Sequence, residues 1–197
     1  MTTLVEDLLL LARLDAGRPL SLEQTDLSPL VVDAVSDARA VGHGHIWRLD
    51  LPDDPATVHG DPQRLHQVLT NLLANARTHT PPGTTVTARV VREPGGVLLQ
   101  VEDDGPGIPP PLQRQVFERF ARGDASRTRA TDGAAAKTGS GPATGGGSTG
   151  LGLAIVRSVV AAHGGTVGVD SVPGRTVFTV RLTDPHSQPR LRFATTS

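Results

Sequence analysis

The chain has no cysteine and few aromatic residues, and both shortages limit what it can be. None of its 197 residues is Cys, which excludes disulfide bonds and thiolate metal sites. Aromatic side chains make up only 3%, so Leu, Val and Ala must form most of the core. Hydrophobic residues make up 37% of the chain, which predicts one domain with a modest core, a leader and a tail.

The chain also lacks an excess of charge and a long apolar run. Its formal net charge is −1, which argues against a general electrostatic affinity for nucleic acid or anionic lipid. The longest apolar run, 8–12, is far shorter than the ~20 residues that span a bilayer. The N-terminus is acidic, whereas a signal peptide begins with basic residues. We therefore expect a cytoplasmic chain with no nucleic-acid partner and no direct membrane contact.

The helical pattern that follows Asp61 is the strongest in the sequence. Asp61 and Pro62 suit the N-cap and the first turn of a helix. Asn71, Asn75 and His79 lie along one edge at i, i+4 and i+8. Asn is a mediocre helix former, so this edge indicates either a solvated polar face or side chains that a ligand uses. The apolar positions at three-and-four spacing are Leu65, Val68, Leu69, Leu72, Leu73 and Ala76.

Helices and strands alternate irregularly along the rest of the chain. In the first helix Leu4, Leu8 and Leu11 form a seam, widened by Val5 and Leu9, which favours a partner helix over the domain itself. Neighbouring strands are expected to be antiparallel. The predicted fold is α/β, a two-layer sandwich of a mixed sheet with helices on one face, preceded by a short helix. The other predicted helices and strands are helices 2–16, 28–41 and 151–162, and strands 45–51, 84–92, 97–103, 166–171 and 175–182.

Two glycine-rich loops indicate a nucleotide site without a P-loop. Asp103 ends a strand on its core-facing side, where a carboxylate is costly unless it has a partner, and a glycine-rich loop follows it. A second glycine cluster, 150–152, opens a helix whose N-terminus offers unpaired N–H groups to phosphates. Asn75 offers an amide oxygen suited to Mg²⁺. The dinucleotide-binding pattern at 145–150 lacks the strand that must precede it, and no P-loop pattern is complete.

A segment of small and polar residues, 121–149, separates the two glycine-rich loops. It contains no large apolar side chain, so it cannot bury enough surface to offset the entropy of ordering it. We expect this segment to be mobile, and we expect the tail after residue 183 to be frayed.

Four motifs, in this order, resemble the ATP-site boxes of sensor histidine kinases. The leader LVEDLLLLARLDAG is similar to the end of the second helix in that family's dimerisation and phosphoacceptor hairpin. The resemblance implies the end of a hairpin helix at 1–17, an ATP-binding catalytic domain at 18–183 with its ATP lid at 121–149, and a disordered tail at 184–197. The four motifs are NLLANA at 71–76, DDGPGIP at 103–109, FERFAR at 117–122 and STGLGLAIV at 148–156.

The resemblance implies roles for individual residues. Asp103 would accept a hydrogen bond from the adenine amine, Asn75 would ligate Mg²⁺, and Arg122 would reach the γ-phosphate from the lid. Asn75 and Arg122 are therefore the expected catalytic residues, and ATP and Mg²⁺ the expected ligands. The expected nucleotide-binding residues are Asn71, Asn75, His79, Asp103, Gly105, Gly107, Ile108, Phe120, Arg122, Thr149, Gly150, Leu151, Gly152 and Thr176.

Three features depart from the pattern of that family. Thr78 and His79 stand where the family often has Lys and Tyr, so one phosphate contact is lost. Ser148 replaces the first glycine of the second glycine-rich box. None of the seven histidines lies in an H-E-L-R-like helical context ahead of the first helix, although His163 suits a helix cap. We therefore expect the chain to bind ATP but not to phosphorylate itself.

The resulting hypothesis is a catalytic domain that transfers the γ-phosphoryl group of ATP to a histidine outside this chain. The expected partners are a response regulator and a phosphoacceptor helix hairpin, with a homodimer as one arrangement. A full-length parent could be anchored in the inner or plasma membrane with this domain inside the cell. Two alternatives stay open, namely an anti-sigma-factor serine kinase and a truncated, non-catalytic module that binds a partner. The ATPases of gyrase, MutL and heat-shock chaperones share the ATP fold and rank lower.

Overall fold

The computed structural model describes residues 5, 8–12, 19–42, 44–118 and 150–183. Residues 5 and 8–12 are helical. The remaining described elements are the strands β1 (Glu23–Asp26), β2 (Ile46–Asp50), β3 (Thr57–Gly60), β4 (Thr85–Glu93), β5 (Gly96–Asp103), β6 (Thr166–Val172) and β7 (Arg175–Thr183), and the helices α1 (Leu27–Val41), α2 (Pro62–His79), α3 (Pro110–Gln113) and α4 (Gly152–Ala162).

A five-stranded mixed sheet forms one layer of the domain. Its strand order is β2-β4-β5-β7-β6, in which β2 runs parallel to β4 and every other pair is antiparallel. The long helices form the second layer, where α2 packs between α1 and α4. Strand β5 alternates buried and half-buried side chains along its whole length, as expected when helices cover one face. The predicted two-layer sandwich is confirmed.

Helix α2 lies at the centre of the helical layer and matches its prediction. It begins after Asp61, whose carboxylate accepts a hydrogen bond from the Arg64 N–H at 3.1 Å, and Pro62 occupies its first turn. It ends at Thr80, whose N–H donates to the carbonyl of Ala76. Because the apolar stripe faces the core, the polar edge of α2 is left beside it. The buried side chains are the six predicted ones, Leu65, Val68, Leu69, Leu72, Leu73 and Ala76.

His163 ties α2 to α4 and caps α4, as predicted. Its Nδ1–H donates to the carbonyl of Val159 at 2.8 Å, and its Nε2 accepts from the Asp61 N–H at 2.9 Å. The C-terminal end of α4 is thereby fixed at the N-terminal end of α2. The N-terminal end of α4 consequently lies farther along α2, beside Asn71.

The first helical segment packs differently from its prediction. Leu10 and Leu11 are buried in the domain core, whereas Leu8 and Leu9 are 43% and 51% exposed. The predicted partner-facing seam is therefore wrong for Leu11, which packs in the domain core, whereas the exposed Leu8 does not contradict it; Leu4 lies outside the described residues. The error has a physical cause, because four consecutive leucines offer apolar side chains on every side and cannot specify which one is buried.

Further differences lie at the edges of the fold. Strand β1, which was not predicted, pairs antiparallel with β3 in a separate two-stranded sheet. Helix α1 begins at Leu27 rather than Ser28, and Val41 at its end is exposed. Leu49, in the edge strand β2, is exposed as well. Among the described residues, no helix is long and apolar enough to cross a membrane.

Candidate nucleotide-binding site

The polar edge of α2 carries an unsatisfied donor. Asn71 and Asn75 are half-buried and His79 is exposed, so the edge is not simply a solvated face. The Nδ2 atom of Asn71 is buried and has no hydrogen-bond partner among the described residues. A buried donor without a partner costs about 1–3 kcal/mol, so a ligand acceptor at this position would recover that energy.

The N-terminus of α4 lies against Asn71. A Cβ atom placed on Gly152 would be 3.5 Å from the Oδ1 atom of Asn71, so the two residues are direct neighbours. Gly150 has a positive φ of 70°, which favours glycine, and no described side chain caps the N-terminus of α4. Leu151 is fully buried, so the side chain of this predicted site residue packs in the core rather than facing a ligand. The first turn of α4 therefore presents backbone N–H groups and the positive end of the helix dipole next to the Asn71 amide.

Asp103 is buried at the end of β5, at the position that the alternating pattern predicts. Only 4% of the residue is exposed, and its Oδ1 atom accepts a hydrogen bond from the Gly105 N–H at 3.1 Å. Burial raises the pKa of the Asp103 carboxyl above its ordinary value, against the lowering effect of that hydrogen bond. No described residue donates a hydrogen bond to the second carboxylate oxygen, which leaves it as the acceptor for a ligand donor.

The loop after Asp103 has no space for side chains at its glycines. A Cβ atom on Gly105 would lie 2.6 Å from Cγ2 of Thr80 and 2.7 Å from Oδ1 of Asp103. Gly107 has a positive φ of 83°, and a Cβ atom there would lie 2.8 Å from the backbone of Val172. These contacts explain why the loop needs glycine at both positions, and they place the loop between the end of α2 and the end of β6.

Thr176 faces Asp103 across the β5–β7 pair. The two residues are register partners, and Thr176 is buried with its Oγ1 atom 2.8 Å from Oγ of Ser171. The Ser171 hydroxyl also accepts a hydrogen bond from the Ile108 N–H at 2.8 Å. The predicted site residues Asp103, Ile108 and Thr176 are thus brought together through Ser171.

Sequence reasoning missed three residues that shape this site. Ser171 and Gln113 hold the glycine-rich loop, and Thr80 packs against Gly105 while its hydroxyl lies 2.8 Å from Nε2 of His45. No periodic pattern marks any of them, since each acts through a contact with a distant segment. Ser171 is a polar residue at a position of β6 where strand alternation points the side chain inward, and this is the one local signal that could have indicated it.

Some predicted site residues lie outside the described part of the chain. They are Phe120, Arg122 and Thr149, together with the predicted lid at 121–149. Phe117, just before that segment, makes an edge-to-face contact with Phe178 at a ring-centroid distance of 6.2 Å. Among the described residues there is no cluster of three or more His, Cys, Asp or Glu side chains that could hold a metal ion by itself.

The groups at the two ends of this site fit one class of protein, which binds nucleotides. A buried acceptor for an amine lies at one end, and a helix N-terminus beside an asparagine edge lies at the other. These are the two groups needed to hold a purine nucleotide without a P-loop.

Comparison with known proteins identifies the family. The family model described as histidine kinase-, DNA gyrase B-, and HSP90-like ATPase matches residues 60–186. The chain belongs to this family of ATPases, and its close relatives confirm the predicted likeness to the ATP-binding catalytic domains of sensor histidine kinases.

Two relatives from Mycobacterium tuberculosis share most of this chain. The probable sensor histidine kinase TcrY is 59% identical over 182 residues, which is 92% of this chain and 35% of TcrY. The sensor histidine kinase TrcS is 45% identical, over 92% of this chain and 34% of its own length. The chain thus spans about a third of the length of these relatives. The anti-sigma-factor alternative is not favoured.

Solved structures agree with the assignment. The mycobacterial sensor histidine kinase MprB matches with a TM-score of 0.62 and 31% identity, over 82% of this chain and 97% of that one. Full-length ShkA in complex with AMPPNP matches with a TM-score of 0.73 and 30% identity, over 91% of this chain and 35% of that one. The fold of this chain is therefore that of histidine kinase ATP-binding domains.

Proposed function

We propose that this chain is the catalytic part of a sensor histidine kinase that binds ATP and transfers its γ-phosphoryl group to a histidine side chain. The observation that carries the proposal is the buried Asp103 carboxylate, held by a loop in which a Cβ atom on Gly105 would lie only 2.7 Å from Oδ1 of Asp103. A buried carboxylate with a raised pKa costs stability at neutral pH, so its position is best explained by a ligand.

Asp103 would recognise the base. One carboxylate oxygen is already engaged by the Gly105 N–H, so the other is the acceptor that remains for the exocyclic amine of adenine. Guanine carries a carbonyl oxygen at the equivalent position, which a carboxylate repels. The site is therefore expected to prefer ATP to GTP.

The phosphates would lie between α2 and the N-terminus of α4. The unpartnered Nδ2 donor of Asn71 and the N–H groups after Gly150 suit anionic oxygens. Gly152 lies beside the Asn71 amide, where a Cβ atom would be 3.5 Å from its Oδ1 atom. His79 lies one turn beyond Asn75 on the same edge, and we assign it to the outer part of this pocket.

Asn75 would hold Mg²⁺ through its amide oxygen. Mg²⁺ prefers oxygen ligands and keeps several waters and substrate phosphates, so a single protein ligand is compatible with its chemistry. When bound, the ion neutralises charge on the phosphates. The protein's own part is positioning, because phosphoryl transfer needs alignment and charge stabilisation more than covalent help. Arg122 is the proposed γ-phosphate contact from the lid, and Phe120 and Thr149 complete the proposed pocket.

The proposal extends to partners and location. We assign residues 1–17 to the end of a dimerisation hairpin, 18–183 to the ATP-binding domain and 184–197 to a tail. A response regulator would receive the phosphoryl group from the hairpin histidine, and the hairpin would mediate a homodimer. The domain would work on the cytoplasmic side of a membrane-anchored parent.

The test uses the purified chain with γ-³²P-labelled ATP and a separately purified hairpin protein that contains the phosphoacceptor histidine of a relative. The expected result is Mg²⁺-dependent label on the hairpin that is stable in alkali and labile in acid, with none on the chain itself. Acid-stable label would instead indicate a serine kinase. A chain that binds no ATP at millimolar concentration would refute the proposal and favour a non-catalytic module.

A further inference from the structure

Gln113, the last residue of α3, holds the glycine-rich loop from its outer side. Its Nε2 atom donates to the carbonyl of Ile108 at 2.6 Å and to the carbonyl of Ser171 at 2.7 Å. The side chain is half-buried, so these bonds are partly protected from water. One amide group thus uses both of its N–H bonds to join the backbone of the loop to the backbone of β6.

Ser171 anchors the same loop a second time. Its hydroxyl accepts a hydrogen bond from the Ile108 N–H at 2.8 Å and lies 2.8 Å from the buried Thr176 hydroxyl. Both backbone groups of Ile108 are therefore engaged, the N–H by Ser171 and the carbonyl by Gln113. Because Thr176 is the register partner of Asp103, the position of the loop is fixed relative to that carboxylate.

We propose that Gln113 is a positioning residue for the nucleotide base, acting through Ile108 and Ser171. It fixes the distance between the loop and the Asp103 carboxylate, and it does not itself touch the nucleotide. The inference rests on the proposed function, because it requires the base to lie at Asp103. A loop that is already ordered removes an ordering cost from binding. Losing the two hydrogen bonds of Gln113 therefore weakens nucleotide affinity even when the domain stays folded.

Two substitutions of the same length separate hydrogen bonding from packing. Gln113→Met keeps the volume of the side chain and removes both donors. Gln113→Glu keeps the shape and places a carboxylate against two carbonyl oxygens. If Gln113 acts by packing, Gln113→Glu binds nucleotide as tightly as wild type. If Gln113 acts by donating hydrogen bonds, Gln113→Glu binds no more tightly than Gln113→Met, because an ionised carboxylate has no donor.

The experiment measures dissociation constants by calorimetry for the full chain with Mg²⁺ and either ATP or ADP. Gln115→Met is the matched control, since Gln115 is exposed two residues farther on. We expect Gln113→Met to lower the affinities for ATP and ADP by the same factor, about three- to tenfold, which the loss of two neutral hydrogen bonds can account for. The factor is shared because the loop faces the base, which ATP and ADP have in common. Thermal unfolding shows that each variant is folded at the temperature of the titration.

The outcomes are distinct. Affinities of Gln113→Met within about twofold of wild type, or full affinity in Gln113→Glu, would overturn the inference and leave the proposed function standing. A loss confined to ATP would also overturn it, because the effect would then lie at the phosphates. If Gln113→Met does not fold, Ser171→Ala removes the other anchor of Ile108 and should weaken both nucleotides alike; unchanged affinity there would overturn the inference. A wild-type chain that binds neither nucleotide would refute the proposed function and this inference with it.

Discussion

Replacing Asp103 by Asn should have opposite effects on stability and on ATP binding. The Gly105 N–H donates to Oδ1 of Asp103, and in Asp103→Asn the single amide acceptor can keep that bond. The Nδ2 donor then faces the pocket, where the adenine amine is also a donor. The variant therefore loses a hydrogen bond to a charged acceptor, about 1.5–3 kcal/mol, which corresponds to an affinity loss of about 10- to 150-fold.

The free energy of unfolding of Asp103→Asn should rise, whereas its ATP affinity falls. The pKa of Asp103 is raised in the folded state, so the folded protein binds the proton more tightly than the unfolded chain does. Ionised Asp103 therefore lowers the free energy of unfolding above its raised pKa, and this penalty shrinks as the pH falls from the raised pKa toward the ordinary value of an aspartate. Asp103→Asn should be more stable than wild type at pH 7, and the difference should vanish in acid.

The assays are calorimetric titration with ATP and GTP and urea unfolding across pH. In wild type, ATP affinity should fall as Asp103 becomes protonated, whereas Asp103→Asn should lack this component of the pH dependence. The Asn amide can donate to the guanine carbonyl, so the preference for ATP over GTP should shrink or reverse. Asp104→Asn is the matched control for nucleotide affinity at neutral pH, because Asp104 is exposed and its bond from the Thr85 N–H at 2.7 Å can be kept by an amide. Equal losses for ATP and GTP, or ATP affinity within about twofold of wild type, would refute the reasoning.

Three further predictions concern the metal, the loop and the core. Asn75→Ala should remove the Mg²⁺ dependence of ATP binding, with an affinity loss of about tenfold or more, while thermal unfolding stays near wild type; retained Mg²⁺ dependence would contradict its role. Gly107→Ala should lower the free energy of unfolding by about 1–3 kcal/mol in urea, because of its positive φ and the close Val172 backbone; wild-type stability would show that the loop can relax. Leu72→Ala should cost about 2–5 kcal/mol in the same assay because Leu72 is fully buried, whereas the exposed Leu49→Ala should cost far less; equal costs would contradict the described core.

Local patterns predicted the parts of the site that a single element carries. The three-and-four spacing after Asp61 gave α2 its buried stripe and its polar edge, because a helix converts sequence spacing directly into direction. Strand alternation placed Asp103 on the core-facing side in the same way. The two glycine-rich loops, after Asp103 and at 150–152, were also visible in the sequence, and they lie at the two ends of the proposed pocket.

Contacts between distant segments could not be predicted in this way. Strand β1 has the polar sequence EQTD and owes its existence to pairing with β3, more than thirty residues away. The hydrogen bond from Gln113 to the Ser171 carbonyl depends on where β6 lies relative to the loop, and the sequence of neither segment alone indicates it. In the leader, four consecutive leucines left the buried face undefined, and packing selected Leu10 and Leu11.

The position of β7 has a consequence for how the protein is made. Although β7 is the last strand that the structure describes along the chain, it pairs between β5 and β6 inside the sheet. A nascent chain that has emerged only as far as β6 therefore has an open β5 edge and no Thr176 opposite Asp103. Unpaired strand edges promote aggregation, so incomplete chains should need protection until the ribosome has released β7. If the base binds at Asp103 as proposed, ATP can serve as a folding ligand only after that moment, since the partner strand of Asp103 is one of the last features that synthesis completes.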